Sequence, residues 1–431
     1  MDETHDPKLK SFIEVPADCD FPIQNLPYCV FRRRDENRPP RVGVAIGEQV
    51  LDLAAVESFG HFKGTELAGK KVFSQTTLNA FMALGRAAWS EARLTLSRLL
   101  REDPQGDQSL RYDSVLLERG LVPMEEAEFF VPVQIGDYTD FYSSRYHAEN
   151  VGVMFRGKEN ALMPNWLHLP VGYHGRSSSI VVDGTDFPRP HGQTMKDGDP
   201  RPTYGPSRLM DFELETGFII GAPTKLGERI SVANADHHIF GMVLVNDWSA
   251  RDIQKWEYQP LGPFLGKNFC TSISPFVVTM DALEPFRIAN QTQDPTPLEY
   301  LRDPGPSSYD INLEAWLQYD EHQDPVLITK SNFKHMYWTM RQQLAHHTIN
   351  GCPVNPGDLM GSGTISGPDP ESRGCMLERT WKGTEPFELP NGQTRKFLED
   401  GDRLTLRGWC DNGSYRVGFG QVSGRVLPAV E

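Results

Sequence analysis

Phe240-Gly241-Met242-Val243-Leu244-Val245 runs directly into Asn246-Asp247-Trp248-Ser249-Ala250-Arg251-Asp252-Ile253-Gln254-Lys255-Trp256-Glu257-Tyr258. The first half is an apolar run of strand length; the second is a mixed polar segment closed by Pro260. Read as a helix, the second half sets Asp247, Arg251, Gln254 and Tyr258 at steps of four, three and four, on one face. That face offers a carboxylate, a guanidinium, an amide and a phenol to a polar pocket. A solvated helix face with Asp247 as its N-cap fits the same spacing.

Working outward, short β-like runs recur from Phe129 onward, divided by Gly and Pro: 179–182, 213–215, 217–220, 276–279 and 404–406. One clear helix is expected around 331–347, and the Pro- and Gly-loaded stretch 187–207 reads as an extended surface loop. There is no βαβ alternation, Walker A or GxGxxG signature, so ATP or NAD chemistry has no support. Toward the N-terminus, 41–53 reads as two strands about a turn near Gly47. Segment 75–101 then repeats apolar groups at Leu78, Phe81, Met82, Trp89, Leu96 and Leu100, predicting one amphipathic helix that tolerates Gly85. Polar residues 101–108 close it. The expectation is a mainly β protein, with a small domain over 1–125 and a large one over 126–431.

Charge narrows the partners. Against 43 basic residues stand 58 acidic ones, a net charge of -15, which disfavours nucleic acid and anionic membrane. No apolar run approaches the roughly 20 residues of a membrane span. The acidic start Met1-Asp2-Glu3 does not resemble a secretory signal. Six cysteines without a close CxxC pair argue for reduced thiols and a cytoplasmic location rather than a disulfide scaffold or a zinc–thiolate site.

The chemistry-bearing candidates fall in four places. In Glu213-Leu214-Glu215, strand alternation puts both carboxylates on one face, where they repel unless a cation or proton lies between them. The polar, aromatic stretch Asp137-Tyr138-Thr139-Asp140-Phe141-Tyr142-Ser143-Ser144-Arg145-Tyr146-His147 reads as loop and short helix. It presents His147 as a candidate base, with Arg156 beyond it as a partner for a carboxylate. Lys267 follows a glycine in Pro263-Phe264-Leu265-Gly266-Lys267-Asn268-Phe269-Cys270-Thr271, and the glycine-rich 361–367 precedes Leu377-Glu378. Asp140, Glu213, Glu215 and Asp247 together would make an oxygen-rich site. Ca²⁺ would accept it flexibly, Mg²⁺ with tighter octahedral demands, and zinc poorly.

Longer blocks carry a resemblance. Asp140-Phe141-Tyr142-Ser143-Ser144, Phe155-Arg156-Gly157-Lys158-Glu159-Asn160 and Leu169-Pro170-Val171-Gly172-Tyr173-His174-Gly175-Arg176 are followed in order by 246–254, 261–267 and Gly363-Thr364-Ile365-Ser366-Gly367. Over nearly its whole length the chain resembles the fumarylacetoacetate hydrolase family. That resemblance implies a small N-terminal SH3-like barrel, a large mixed β-sandwich roll, and a homodimer with active sites near the interface. It implies hydrolysis of a carbon–carbon bond in fumarylacetoacetate, giving fumarate and acetoacetate, the final step of tyrosine and phenylalanine catabolism.

By position, the resemblance assigns Asp140, Glu213, Glu215 and Asp247 to a catalytic Ca²⁺ or Mg²⁺ that chelates the diketone. His147 is similar to the general base, Glu378 to its orienting partner, and Arg251, Gln254 and Lys267 to the oxyanion and leaving-group contacts. Tyr142, Arg156, Gln254, Tyr258 and Thr364 match substrate contacts, and Asp247, Lys267 and Thr271 match a second Mg²⁺ position. Cys270 departs from the pattern, standing where relatives carry glycine. Two other readings use the same residues: a related diketo-acid hydrolase or decarboxylase, and a non-enzymatic calcium-binding β-sandwich recognition module. The last needs the carboxylates but not the ordered His147, Glu378 and Lys267.

Overall fold

The computed structural model describes residues 1–103 and 109–431. Strands β1 (Tyr28–Arg33), β2 (Arg41–Ile46), β3 (Gln49–Asp52), β4 (Leu121–Pro123) and β5 (Ala127–Phe130) form an antiparallel sheet in the order β4-β3-β2-β1-β5. The β2–β3 turn falls at Gly47, as the sequence predicted. The single helix expected over 75–101 is broken. Asn79–Met82 forms one short turn, Gly85 takes φ 85°, and α1 (Arg86–Leu100) starts afresh behind it. A positive φ is cheap only for glycine, so the residue is a helix stop rather than a tolerated guest. The apolar repeat survives because both pieces bury on one core: Leu78, Phe81, Met82, Trp89, Leu96 and Leu100 all belong to it. Of the polar closing stretch 101–108, residues 104–108 lie outside the described residues.

The larger part is organised around two larger sheets. The first links β6 (Tyr138–Phe141), β7 (Gly172–Gly175), β8 (Ile180–Val182), β9 (Leu214–Ile220), β10 (Ile239–Asn246), β11 (Thr271–Ile273) and β12 (Leu359–Gly361) in the order β7-β6-β12-β9-β10-β11-β8. The second pairs 326–332, 312–318, 403–411, 416–427 and 187–188 in that order. Strand β10 explains the apolar run at 240–245. Met242 and Leu244 pack into the core shared with the second sheet, while Phe240, Val243 and Val245 pack into the core shared with the N-terminal sheet and α1. A strand buried on both faces has no polar side to show, so its sequence does not alternate. The Trp89 and Phe240 rings meet edge-on at 5.2 Å, joining the N-terminal part to this strand.

Other expectations shift. Segment 187–207 is not one loop: 187–188 pairs parallel with 426–427, and His191–Thr194 with Thr203–Pro206 makes a hairpin. The helix expected at 331–347 begins late, at Met340. A strand runs to Asn332, and Thr339 caps α4 (Met340–Thr348) reciprocally with Gln342. In 137–147, β6 precedes α2 (Arg145–Arg156), capped by Ser144. Asp247 is not helical: β10 ends at Asn246, Ser249–Ala250 pairs with Met210–Asp211, and α3 covers Arg251–Glu257. No helix among the described residues is long and apolar enough to cross a membrane.

Candidate active site

Neighbouring strands deliver the acidic side chains. Asp140 comes from β6, Glu215 from β9, Glu213 from the residue before β9, and Asp247 from the end of β10. All four are buried, and each offers an oxygen within 4.8 Å of the others. Gly361 on β12 lies between β6 and β9, opposite Asp140 and Gly217. A Cβ there would stand 2.7 Å from Asp140 Oδ1 and 3.3 Å from Glu215 Oε2, so only glycine lets the two carboxylates approach. Gly361→Ala is expected to weaken divalent-cation binding at least tenfold with the fold retained, measured by titration calorimetry. Unchanged affinity would remove this account of the glycine.

Two like charges 4 Å apart repel by about 4 kcal/mol at an effective dielectric of 20, so four buried carboxylates need positive charge. The chain supplies part of it. Lys267 Nζ lies 2.8 Å from Glu213 Oε2 and donates to Asp247 Oδ2 at 2.6 Å. Arg251 Nη1 stands 2.6 Å from Glu213 Oε1. Burial alone would raise Glu213, yet Lys267 and Arg251 hold its carboxyl well below the usual range. Burial, then Asp247, pushes Asp140 far up; burial, then Asp140 and Glu213, does the same to Glu215. Burial also raises Asp247, against the pull of Lys267.

Asp140 Oδ1 and both Glu215 oxygens are buried and, among the described residues, have no hydrogen-bond partner. Orphaned oxygens of this kind are costly in a dry pocket, and an all-oxygen donor set suits a hard divalent ion. The residues therefore fit the cation that the sequence pattern predicted. The side chain of Lys267 meets Asp247 as an ammonium without a lone pair, while Thr271 Oγ1 donates to Asp247 Oδ1 at 3.2 Å. Cys270 is buried with an ordinary backbone, not in the left-handed region, so its side chain does not distort the turn into Thr271.

The second cluster is a buried dyad. His147, on the first turn of α2, places Nδ1 2.6 Å from Glu378 Oε2 on α5 (Met376–Arg379). Asn150 Nδ2 donates to Glu378 Oε1 at 2.8 Å; Ser366 Oγ and Cys375 Sγ donate to Oε2 at 2.8 and 3.2 Å. Burial would raise the Glu378 carboxyl, but His147, Asn150 and Ser366 bring it down to about 2. An ionised Glu378 fixes Nδ1 as the protonated nitrogen and leaves Nε2 with its lone pair, the state a general base requires. Gly363 takes φ 75°, and a Cβ there would meet Phe141 O at 2.2 Å. That turn leads into Ser366, whose hydroxyl meets Glu378.

The remaining candidates separate. Arg251 and Gln254 meet on α3, Arg251 Nη1 donating to Gln254 Oε1 at 3.1 Å, and Tyr258 follows as the C-cap of that helix. Arg251 Nη2 and Thr364 Oγ1 are buried without partners among the described residues, both suited to a ligand oxygen. The Tyr142 ring meets His147 edge-on at 5.2 Å, and burial pushes its phenol up. Tyr258 is 44% exposed, and its hydroxyl accepts from Gln259. Arg156 is exposed at the end of α2 and donates to the carbonyls of Asn160 and Ala161, so its guanidinium does not reach the acidic cluster.

Sequence reasoning passed over Asp211, Asn150, Ser366, Cys375 and Tyr173, whose hydroxyl donates to Asp247 Oδ2 at 3.2 Å. For Asp211 a signal existed: Asp211, Glu213 and Glu215 are three acids at the period of a strand. A cavity of about 410 Å³ beside β6, lined by Thr139, Phe141, His174, His346 and His347 among others, is a different space; Tyr173 borders both it and the acidic cluster.

Residues 24–132 match the family described as fumarylacetoacetase N-terminal, and 138–427 match fumarylacetoacetate (FAA) hydrolase C-terminal. The fumarylacetoacetase of Bos taurus is 58% identical over 421 residues, 97% of this chain and 99% of that protein. That of Arabidopsis thaliana is 54% identical over 421 residues, 98% of this chain and 99% of that protein. Among solved structures, the fumarylacetoacetate hydrolase from psychrophilic Exiguobacterium antarcticum aligns with a TM-score of 0.51 at 16% identity, covering 94% of this chain and 99% of that one, a likeness of fold alone. The chain belongs to the fumarylacetoacetate hydrolase family.

Proposed function

We propose that this chain hydrolyses fumarylacetoacetate to fumarate and acetoacetate, the last step of tyrosine and phenylalanine breakdown. The observation that carries the reading is a buried His147–Glu378 dyad beside four convergent carboxylates with orphaned oxygens. Asp140, Glu213, Glu215 and Asp247 would hold a divalent ion, Mg²⁺ or Ca²⁺, whose charge polarises the oxygens of a 1,3-diketone.

His147 Nε2 takes a proton from water while Glu378 steadies the imidazolium that forms. The water oxygen bonds to the ketone carbon of the fumaryl half, and that carbonyl oxygen gains negative charge. Arg251 Nη2, unpartnered and buried, is the donor poised for it, with Gln254 beside it and Lys267 nearby. As the tetrahedral carbon collapses, the bond to the acetoacetyl methylene breaks and its electron pair leaves as an enolate. The proton held on His147 is available to restore acetoacetate. Tyr142 and Thr364 line the substrate side, and Arg156 and Tyr258 complete carboxylate recognition at the rim. Arg156 must turn away from the carbonyls of Asn160 and Ala161 to do so. The second Mg²⁺ position would lie at Asp247 and Thr271, with Lys267 contributing its backbone carbonyl.

In finer detail, we read the antiparallel N-terminal sheet, which its last strand β5 carries to Phe130 and so past the boundary expected at 125, as an SH3-like barrel, and the two larger sheets as a β-sandwich roll. The working form is a homodimer. A cytoplasmic location is supported by six cysteines, all unpaired. The deciding assay follows the ultraviolet loss of fumarylacetoacetate with product identification, before and after chelation and after Mg²⁺ or Ca²⁺ is returned. Turnover should vanish on chelation and return with the ion. Undiminished turnover in ion-free protein would end the reading, and preference for an acylpyruvate would reassign the substrate.

A further inference from the structure

Asp211 makes no contact with the acidic cluster's orphaned oxygens, yet it is fully buried at the meeting point of the two halves of the site. Its Oδ2 accepts from Arg251 Nε at 2.8 Å and from Leu377 N at 3.0 Å; its Oδ1 accepts from Met376 N at 2.7 Å and Phe212 N at 2.8 Å. Met376 and Leu377 are the two residues before Glu378, and they open the short α5. Cys375, the N-cap, makes no side-chain cap bond, so Asp211 takes over that duty from another element. One carboxylate thus caps the turn that carries Glu378 and clamps the guanidinium that offers Nη2 to the reacting oxygen.

We propose that Asp211 is the positioning residue that sets Arg251 and the His147–Glu378 dyad in register. The proposal rests on the hydrolytic reading above. The donor pattern makes the role specific to a carboxylate. Both oxygens accept two N–H groups, a load that an ionised carboxylate carries and an amide cannot, because one of its ends is a donor. In Asp211→Asn, the amide nitrogen faces either the Arg251 and Leu377 donors or the Met376 and Phe212 donors. Arg251 then loses its Nε anchor or Glu378 loses its capped turn. With Nε clamped to Asp211 and Nη1 to Glu213 and Gln254, Nη2 is the guanidinium nitrogen left without a partner among the described residues, which gives the guanidinium one orientation.

The test pairs kinetics with a readout that needs no substrate. Asp211→Asn is expected to lower kcat about a hundredfold, with KM and the affinity for Mg²⁺ each changed less than about threefold. In double-mutant cycles with Arg251→Lys and with Glu378→Gln, the losses should fall well short of multiplying, since each partner acts through the same carboxylate. Losses that multiply in both cycles, or a kcat near that of the parent, would overturn the proposal.

Because Asp211→Asn removes a buried cap and risks misfolding, Arg251→Lys gives a second route. Arg251 donates to neither His147 nor Glu378 among the described hydrogen bonds, yet freeing it from Asp211 should move the downfield Nδ1 proton of His147 in the metal-loaded protein. An unmoved resonance would sink the coupling whatever the substrate proves to be. If the parent protein leaves fumarylacetoacetate intact while the resonance still moves, the substrate reading fails and the positioning role stands.

Discussion

His147→Gln is expected to lower kcat by about a thousandfold, within the 10²–10⁴ typical of a lost general base, with KM little changed. The imidazole is almost fully buried, its Nδ1 is committed to Glu378, and its position on α2 is held by the Ser144 cap rather than by its own side chain. A folded variant is therefore expected, destabilised by about 1–3 kcal/mol because Glu378 loses a partner in a buried setting. The Glu378 carboxyl, drawn down to about 2, is ionised throughout an assay between pH 5 and 8 and contributes no limb to kcat/KM there. The sign for stability follows: the depressed carboxyl stabilises the fold above its unfolded value near 4.3, and this is lost as pH falls toward about 2. A His147→Gln protein that keeps near-parental kcat, measured by substrate absorbance, would remove His147 from the chemistry.

How much of this was legible beforehand depended on whether the signal was local. Alternation in Glu213-Leu214-Glu215 and the i, i+3 spacing of Arg251 and Gln254 are properties of single segments, and both side-chain pairs do lie together. The apolar run in β10 was readable as a strand, but nothing in it says that Met242 and Val243 face different cores. The misjudged elements were decided by features outside the local pattern or by one residue within it. Gly85 breaks a helix whose periodicity continues across the break, and Asp247 reaches the site from the end of a strand rather than from the helix after it. Partners such as Asp211 and Met376, 165 positions apart, become visible only when strands from distant segments pair. The pairing of His147 with Glu378, 231 positions apart, came from family resemblance and not from spacing.

Removing the divalent ion should change how the protein responds to pH, and this is the largest expected effect outside the chemistry itself. Burial and the mutual repulsion of Asp140, Glu213, Glu215 and Asp247 raise Asp140 and Glu215 far above the ordinary range when only Lys267 and Arg251 oppose them. In the ion-free protein these two groups hold their protons to higher pH than the unfolded chain does, which releases them near pH 4. Their folded-state values are raised, so the stability they contribute is full at low pH and declines as pH rises above about 4. Ion binding requires both as carboxylates, so protons must be expelled when the ion enters. Calorimetry in two buffers of different ionisation enthalpy should detect that release, and affinity should strengthen as pH rises. At an ion concentration a thousandfold above Kd the added stability is about 4 kcal/mol, so the gap between loaded and chelated thermal midpoints should widen from pH 5.5 to 8. Glu215→Gln removes one charge of the four and should weaken ion binding by at least a hundredfold while reducing the number of protons released. Binding that is tight, pH-independent and free of proton release would mean that the buried carboxylates are already ionised without the ion, and that Lys267 and Arg251 alone balance their charge.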